Sequence, residues 1–288
     1  MPAALWGAVT ALCWGGGDFL SRFTGGRLGV LTAMAGVMSS SFLLLALFVW
    51  WSGEALRFPT QGWPALGIAC LGIVAATGLL YLGMIRGPVS LVAPIVAAYP
   101  VWSLLLAVLG GVHPARIQWA AMALVIVGVV AVARLGGTAD AAAAERPGGL
   151  PLTLVVSFLA SLGFAGGIAG LQTAGPHFGE LQSLLAIRLF GVVATLAGLA
   201  AMPQLRRPIP WRWWPVLLFQ GTIDGTAYLA LLIGGQTAGD APVAVVVAST
   251  FCVVPVVLGR IFLKEHIGAG QWVAILAIVA GVATLSAV

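Results

Sequence analysis

Residues 134–149 read RLGGTADAAAAERPGG, the longest polar stretch in the chain. Arg134, Asp140, Glu145 and Arg146 fall within it, and glycines stand near both ends. The sequence on either side is different in kind. The whole chain is 61% hydrophobic and only 7% charged, where soluble domains carry roughly 25% charged residues. Runs of about twenty mostly apolar residues recur before and after the stretch, each long enough to cross a hydrocarbon core of about 30 Å as a helix. In lipid every backbone polar group must be satisfied internally, and these runs are too long for barrel strands. The chain therefore reads as an all-α polytopic membrane protein, with residues 134–149 as the boundary between two halves.

Counting outward from that boundary gives ten transmembrane helices. Five precede it, at 3–21, 29–51, 63–85, 88–109 and 117–133, and five follow, at 150–173, 181–202, 211–234, 241–263 and 267–288. Residues 1–133 are thus a first five-helix repeat, 134–149 a linker and 150–288 a second five-helix repeat. The segment up to Leu12 has an apolar core but neither a basic flank nor a small-residue cleavage site, so it reads as part of the mature first span. Cys13, Cys70 and Cys252 all lie inside apolar runs, which predicts three free thiols rather than a disulfide or a metal set.

The halves echo each other in order. Trp63-Pro64 at the start of span 3 is matched by Trp214-Pro215 at the start of span 8, and Thr77-Gly78-x-x-Tyr81 by Asp224-Gly225-x-x-Tyr228. Gln118-Trp119 followed by Gly128-Val129 returns as Gln271-Trp272 followed by Gly281-Val282, and Gly16-Gly17 returns as Gly166-Gly167. Five is an odd number, so consecutive copies enter the membrane from opposite sides. The pattern predicts two inverted five-helix repeats, an arrangement common among secondary transporters.

With these pieces in place the chain resembles the drug/metabolite transporter superfamily, and within it the EamA-domain branch. The resemblance rests on Trp14-Gly15 late in span 1, on Pro255, on Leu263-Lys264-Glu265 and Gln271-Trp272 around the last loop, and on Gly281-Val282. In the first half Pro100 fits, but Gly110-Gly111-Val112 lacks the acidic residue that Glu265 supplies. The resemblance implies transport of small metabolites, with one branch similar to amino-acid exporters. It also implies a central cavity lined mainly by spans 1, 3, 4, 6, 8 and 9.

Most of the tryptophans stand at span ends, as an interfacial belt does. Trp14, Trp102, Tyr81, Tyr99 and Tyr228 do not. A buried phenol or indole needs a polar partner or a wet surface, and helical spacing gathers these groups on single faces: Tyr99 with Trp102, Thr77 with Tyr81, and Gln220, Asp224 and Tyr228 in steps of four. Two readings fit, a hydrated cavity or interhelical hydrogen bonding within a packed bundle. Asp224 lies near the middle of span 8, where a carboxylate faces a cavity or a partner. It is a candidate for substrate contact, for proton coupling, or for a structural hydrogen bond. Asp18 is a second proton-coupling candidate, or it caps the end of span 1 or pairs with Arg22 one turn on. Gly221 and Gly225 allow tight packing or close substrate approach beside Asp224. The triple glycine Gly15-Gly16-Gly17 and the glycine-dense span 6 read as places of close helix packing or bending. Pro94, Pro100 and Pro255 are candidate gating or kink points. Arg188 reads as a snorkelling arginine or a contact for a substrate carboxylate, Lys264 and Glu265 as loop-end groups, and Ser249 and Thr250 as bonded to their own helix.

Charge assigns orientation ambiguously. Loops after odd-numbered spans hold most of the arginines, which places both termini outside the cytoplasm, whereas the resemblance implies both inside. The function classes narrow more sharply. His113, His177 and His266 lie in separate loops, and no HExxH or nucleotide-binding loop occurs, so neither an enzyme nor a metal or other cofactor is expected. A channel would need a ring of charge or a carbonyl filter. The expected function is secondary export of amino acids or similar small metabolites by alternating access through an aromatic-lined cavity. The alternatives are export of drugs or other metabolites, nucleotide-sugars least of them, or a channel. The expected partners are a small-molecule substrate and membrane lipid, with no nucleic acid. The expected state is a monomer in a cell membrane of the bacterial inner-membrane type.

Overall fold

The computed structural model describes residues 2–111, 113–136, 149–234 and 241–287, so most of the polar linker lies outside the described residues. Everything regular among the described residues is helical: α1 (Ala3–Leu28), α2 (Val30–Ser52), α3 (Trp63–Arg86), α4 (Val89–Ala97), α5 (Tyr99–Leu109), α6 (Arg116–Gly136), α7 (Gly149–Phe178), α8 (Glu180–Ala201), α9 (Trp214–Gly234), α10 (Ala241–Ala248), α11 (Val253–Phe262) and α12 (Ala269–Ala287). Three short 3-10 turns, Pro203–Leu205, Trp211–Trp213 and Ser249–Cys252, join some of them. Among the described residues nine helical segments are long and apolar enough to cross a membrane. The tenth expected span, α1, is a 26-residue helix that carries Asp18, Arg22 and Arg27 and is not among the nine.

α1 runs seven residues beyond its expected end. Polar side chains that suggested a boundary are absorbed by the helix: the Ser21 hydroxyl donates to Asp18 O at 2.6 Å and that of Thr24 to Leu20 O at 3.2 Å, a common resort of hydroxyls in helices. Asp18 therefore lies well inside α1 and does not cap its end. The triple glycine lies within one continuous helix. A Cβ on Gly15 would stand 2.5 Å from Phe251 O and 3.0 Å from Pro255 Cδ, so this glycine admits the broken ninth span. The turn into α2 uses Gly29 at φ 82°, and the turn from α7 into α8 uses Gly179 at φ 85°; without a Cβ such angles carry no steric cost.

Two apolar runs that read as single spans are divided. Residues 88–109 break at Ala98 into α4 and α5, with Pro94 inside α4 and Pro100 in the first turn of α5. Residues 241–263 break at Ser249–Cys252, where the Ser249 and Thr250 hydroxyls bond to Val246 O and Val247 O as the sequence leads one to expect. A proline cannot donate to the carbonyl four residues back. For Pro94 that carbonyl is Ser90 O, which Gln271 Nε2 reaches at 3.5 Å.

Side-chain contacts define the two ends of the bundle. At one end Arg22 donates to Met84 O at 3.0 Å and to Gly87 O, and Arg207 reaches Gly26 O and Arg27 O at 3.5 and 3.4 Å. There too Glu265, read from sequence as a loop-end group, accepts the first backbone N–H groups of α4: Val89 N–H to Oε1 at 2.8 Å and Ser90 N–H to Oε2 at 3.0 Å. These are helix-start donors with no partner in their own helix. Glu265→Ala is expected to lower stability by about 1–3 kcal/mol and Glu265→Gln by less. Unfolding of the detergent-solubilised protein followed by circular dichroism measures both. At the opposite end Gln182 exchanges two 2.6 Å hydrogen bonds with the backbone of Arg57, and Gly62 lies against His177.

Glycines set the closest helix contacts. α3 and α7 meet at Gly72, Gly163 and Gly167, where a Cβ on Gly72 would fall 2.7 Å from Gly167 Cα. α6 and α12 pack reciprocally: a Cβ on Gly128 would stand 3.0 Å from Ala274 O, and one on Gly281 would stand 2.9 Å from Ala121 O. Cys13, Cys70 and Cys252 are all free thiols.

Candidate functional site

α9 places Gln220, Asp224 and Tyr228 on one face, and side chains from α1, α2, α3 and α8 converge on them. The centre is an ion pair between Arg188 of α8 and Asp224. Arg188 Nη2 lies 3.0 Å from Asp224 Oδ2 and 3.2 Å from Oδ1. The Ser41 hydroxyl of α2 donates to the same Oδ2 at 2.8 Å, and the guanidinium carbon sits 4.7 Å from the centre of the Tyr228 ring, in cation–π range. Arg188 is 4% exposed and Asp224 25%, so the pair is open on its carboxylate side. Arg188 therefore does not snorkel, as the sequence suggested. Its guanidinium is turned into the bundle, where Asp224 balances its charge.

Why α2 comes near enough is written in glycines. A Cβ on Gly221 would fall 2.9 Å from Ser40 Cβ, and one on Gly225 would stand 2.9 Å from Leu44 Cδ2 and 3.3 Å from Ser41 Oγ. Of the two readings of these glycines, tight packing holds, and its effect is to deliver Ser41 to Asp224.

Gln220 is 2% exposed and its amide is fully engaged. Its Nε2 donates to Gly17 O and to Tyr81 Oη, both at 2.9 Å, and its Oε1 accepts from Thr24 at 3.0 Å. It thus ties α9 to α1 and α3 and fixes the Tyr81 hydroxyl. Above it Trp14 packs edge-on against Tyr228 at 5.2 Å and against Phe251 at 5.9 Å. Asp18 lies one turn beyond Trp14 on the same face of α1, next to Gly17, whose carbonyl accepts from Gln220.

The structure thus brings together Trp14, Asp18, Tyr81, Gln220, Asp224 and Tyr228. Tyr99 lies next to this group, packed with Trp14 around Phe251 and Cys252 and 6.5 Å from the ring of Phe164. Trp102 does not join it. Its ring meets Phe158 at 5.0 Å, on the outward part of α7 where Val155, Phe158 and Leu159 are exposed. Pro94, Pro100 and Pro255 lie at or near the two broken spans and not in the polar cluster. Arg188, Ser41 and Thr24 are the members that sequence reasoning did not assemble. One signal pointed to Arg188: a mid-span carboxylate calls for a cation, and few arginines lie so far from a span end. Among the described residues no group of three His, Cys, Asp or Glu side chains is arranged to hold a metal ion.

This arrangement presents both signs of charge, the rings of Trp14, Tyr81 and Tyr228 and several hydroxyls within one group of helices. Its chemistry is complementary to an amino group, a carboxylate and an apolar or aromatic body. A family model described as the EamA-like transporter family matches residues 1–134 and 148–287. No curated protein is significantly similar to the chain. Among solved structures, one described only as "Crystal structure of protein" superposes with a TM-score of 0.67 at 15% sequence identity, covering 98% of this chain and 95% of that one. At that identity the likeness shows the fold alone.

Proposed function

The chain belongs to the EamA-like transporter family, whose members are multi-pass membrane transporters of small molecules and not enzymes, and from this premise we propose that it exports amino acids or similar small metabolites as a secondary transporter. The observation that carries the amino-acid reading is the half-open ion pair Arg188–Asp224 beside Tyr228. A zwitterion carries the two charges that such a pair already balances. It can exchange the protein's internal contact for two of its own, its amino group on Asp224 and its carboxylate toward Arg188, without leaving either buried charge alone. Trp14, Tyr228 and Tyr99 supply the apolar wall, Gln220 and Tyr81 hold α1, α3 and α9 in register, and Trp102 acts from the periphery. Asp224, with Asp18 near it, is the candidate for proton coupling.

The proposal extends to architecture. α1 is the tenth span, and the halves are inverted repeats. Support comes from matched features: Gly29 and Gly179 share one backbone conformation, the fourth and ninth spans are both broken, and α6 and α12 pack reciprocally. Pro94, Pro100 and Pro255 then serve as the points where the two broken spans bend during alternating access. The protein works as a monomer in a cell membrane of the bacterial inner-membrane type.

The test is uptake of a panel of radiolabelled amino acids into liposomes containing the purified protein, with and without a pH gradient, beside Asp224→Asn. Saturable uptake that is lost in the variant is the expected result, and competition by amino-acid methyl esters or N-acetyl derivatives should be at least about tenfold weaker, since each removes one charge of a paired contact. Equal competition by the esters would exclude the Arg188 contact. Movement of lipophilic amines in place of zwitterions would favour the drug-export reading, which the aromatic group around Asp224 also suits.

A further inference from the structure

Arg27 and Arg212 stand at the arginine-rich end of the bundle, and neither has a carboxylate partner among the described residues. With Phe23, Trp213 and Val216 they line an open cleft of about 470 Å³ between the end of α1 and the start of α9. No acidic side chain lines it.

The cleft opens on the outer surface of the bundle and not toward the Asp224 site. At 100° per residue, positions 5, 12, 23 and 27 of α1 fall within about 60° of one another, while Asp18 lies on the opposite side of the helix. Leu12 on that outward stripe is 62% exposed and Phe23 38%. On α9 the neighbouring outward residue Phe219 is 59% exposed. An exposed apolar strip therefore runs along the helices into this cleft, a furrow that ends at two guanidinium groups and an indole.

That sequence of surfaces matches one kind of molecule. Guanidinium groups bind phosphate through paired N–H donors, tryptophan favours headgroup depth, and the furrow accepts an acyl chain. A zwitterionic headgroup would bring an ammonium for which the cleft offers no carboxylate. We infer that the cleft binds an anionic phospholipid, its headgroup phosphate between Arg27 and Arg212 and an acyl chain along Phe23 and Val216. Basic clefts between spans are suited to anionic headgroups, and each arginine near the surface strengthens the attraction by about fivefold. The lipid bridges α1 and α9, the helices that carry Trp14 and Asp224, and so ties membrane composition to the packing beside the site.

The purified full-length protein in neutral detergent provides the test. Phosphatidylglycerol, phosphatidylcholine with the same chains, and soluble glycerol 3-phosphate are each titrated, with bound lipid counted by native mass spectrometry and protection read from the unfolding temperature. Phosphatidylglycerol is expected to bind and protect, and the other two are not. Arg27→Gln and Arg212→Gln should each weaken phosphatidylglycerol binding about fivefold. Val216→Trp should weaken it by filling the furrow with no change of charge, and Arg57→Gln at the opposite end should leave it unchanged. The inference fails if phosphatidylcholine binds equally. It also fails if the double arginine variant, folded as judged by an unaltered unfolding temperature in phosphatidylcholine, keeps its phosphatidylglycerol. Protection by glycerol 3-phosphate equal to that by the lipid would overturn it in favour of a soluble-anion site.

Discussion

Asp224→Ala is expected to cost about 3–5 kcal/mol of stability, because it leaves a buried charge without its partner. The stranded group would be Arg188, 4% exposed and charged at every accessible pH. Its remaining support is the face of Tyr228 at 4.7 Å, worth about 2 kcal/mol when desolvated. Arg188→Met strands Asp224 instead, which is 25% exposed and keeps the Ser41 hydrogen bond. The arginine variant should therefore be the milder of the two, the reverse of what side-chain size alone suggests. The double variant Arg188→Met/Asp224→Ala removes both charges and should be more stable than Asp224→Ala, while transport is lost in all three. Denaturant unfolding of the four proteins in detergent closes the cycle. Single-variant losses that merely add in the double would show that the pair is not coupled.

Gly72→Leu is expected to cost at least about 3 kcal/mol, beyond the usual range for overpacking. A Cβ there would lie 2.7 Å from Gly167 Cα, 2.8 Å from Gly167 N and 2.9 Å from Gly163 O. All three are backbone atoms, so no rotamer change can make room, and α3 and α7 must separate along a contact that crosses between the two halves of the chain. Gly166→Ala is the control. One position away on α7, its Cβ would meet nothing within 4 Å, and alanine in a helix interior gains about 0.5–1 kcal/mol over glycine. A thermal-unfolding series in one detergent ranks the variants. An unfolding temperature for Gly72→Leu equal to that of the native protein would mean that the two helices are not held at this distance.

Sequence alone determined the class of this protein and the order of its apolar runs, but not that α1 extends to Leu28 or that the fourth and ninth spans are broken. The apolar runs on either side of residues 134–149 must be helical because lipid offers the backbone no partner. Asp224 stood out because a mid-span carboxylate is costly, and the glycine-dense sixth span marked a place of close helix packing. What no local pattern contained was the choice of neighbours. Arg188 on α8 finds Asp224 on α9. Gln220 reaches back to Gly17 and Tyr81. Glu265 caps a helix far earlier in the chain, and Trp102 turns to Phe158 rather than to the polar cluster. In a soluble helix an apolar stripe tells which side faces inward; in a helix that is apolar all round that stripe is missing. Lipid is as apolar as leucine, so burial does not select the partners. Small residues, hydrogen bonds and paired charges select them, and they act only once the helices are side by side.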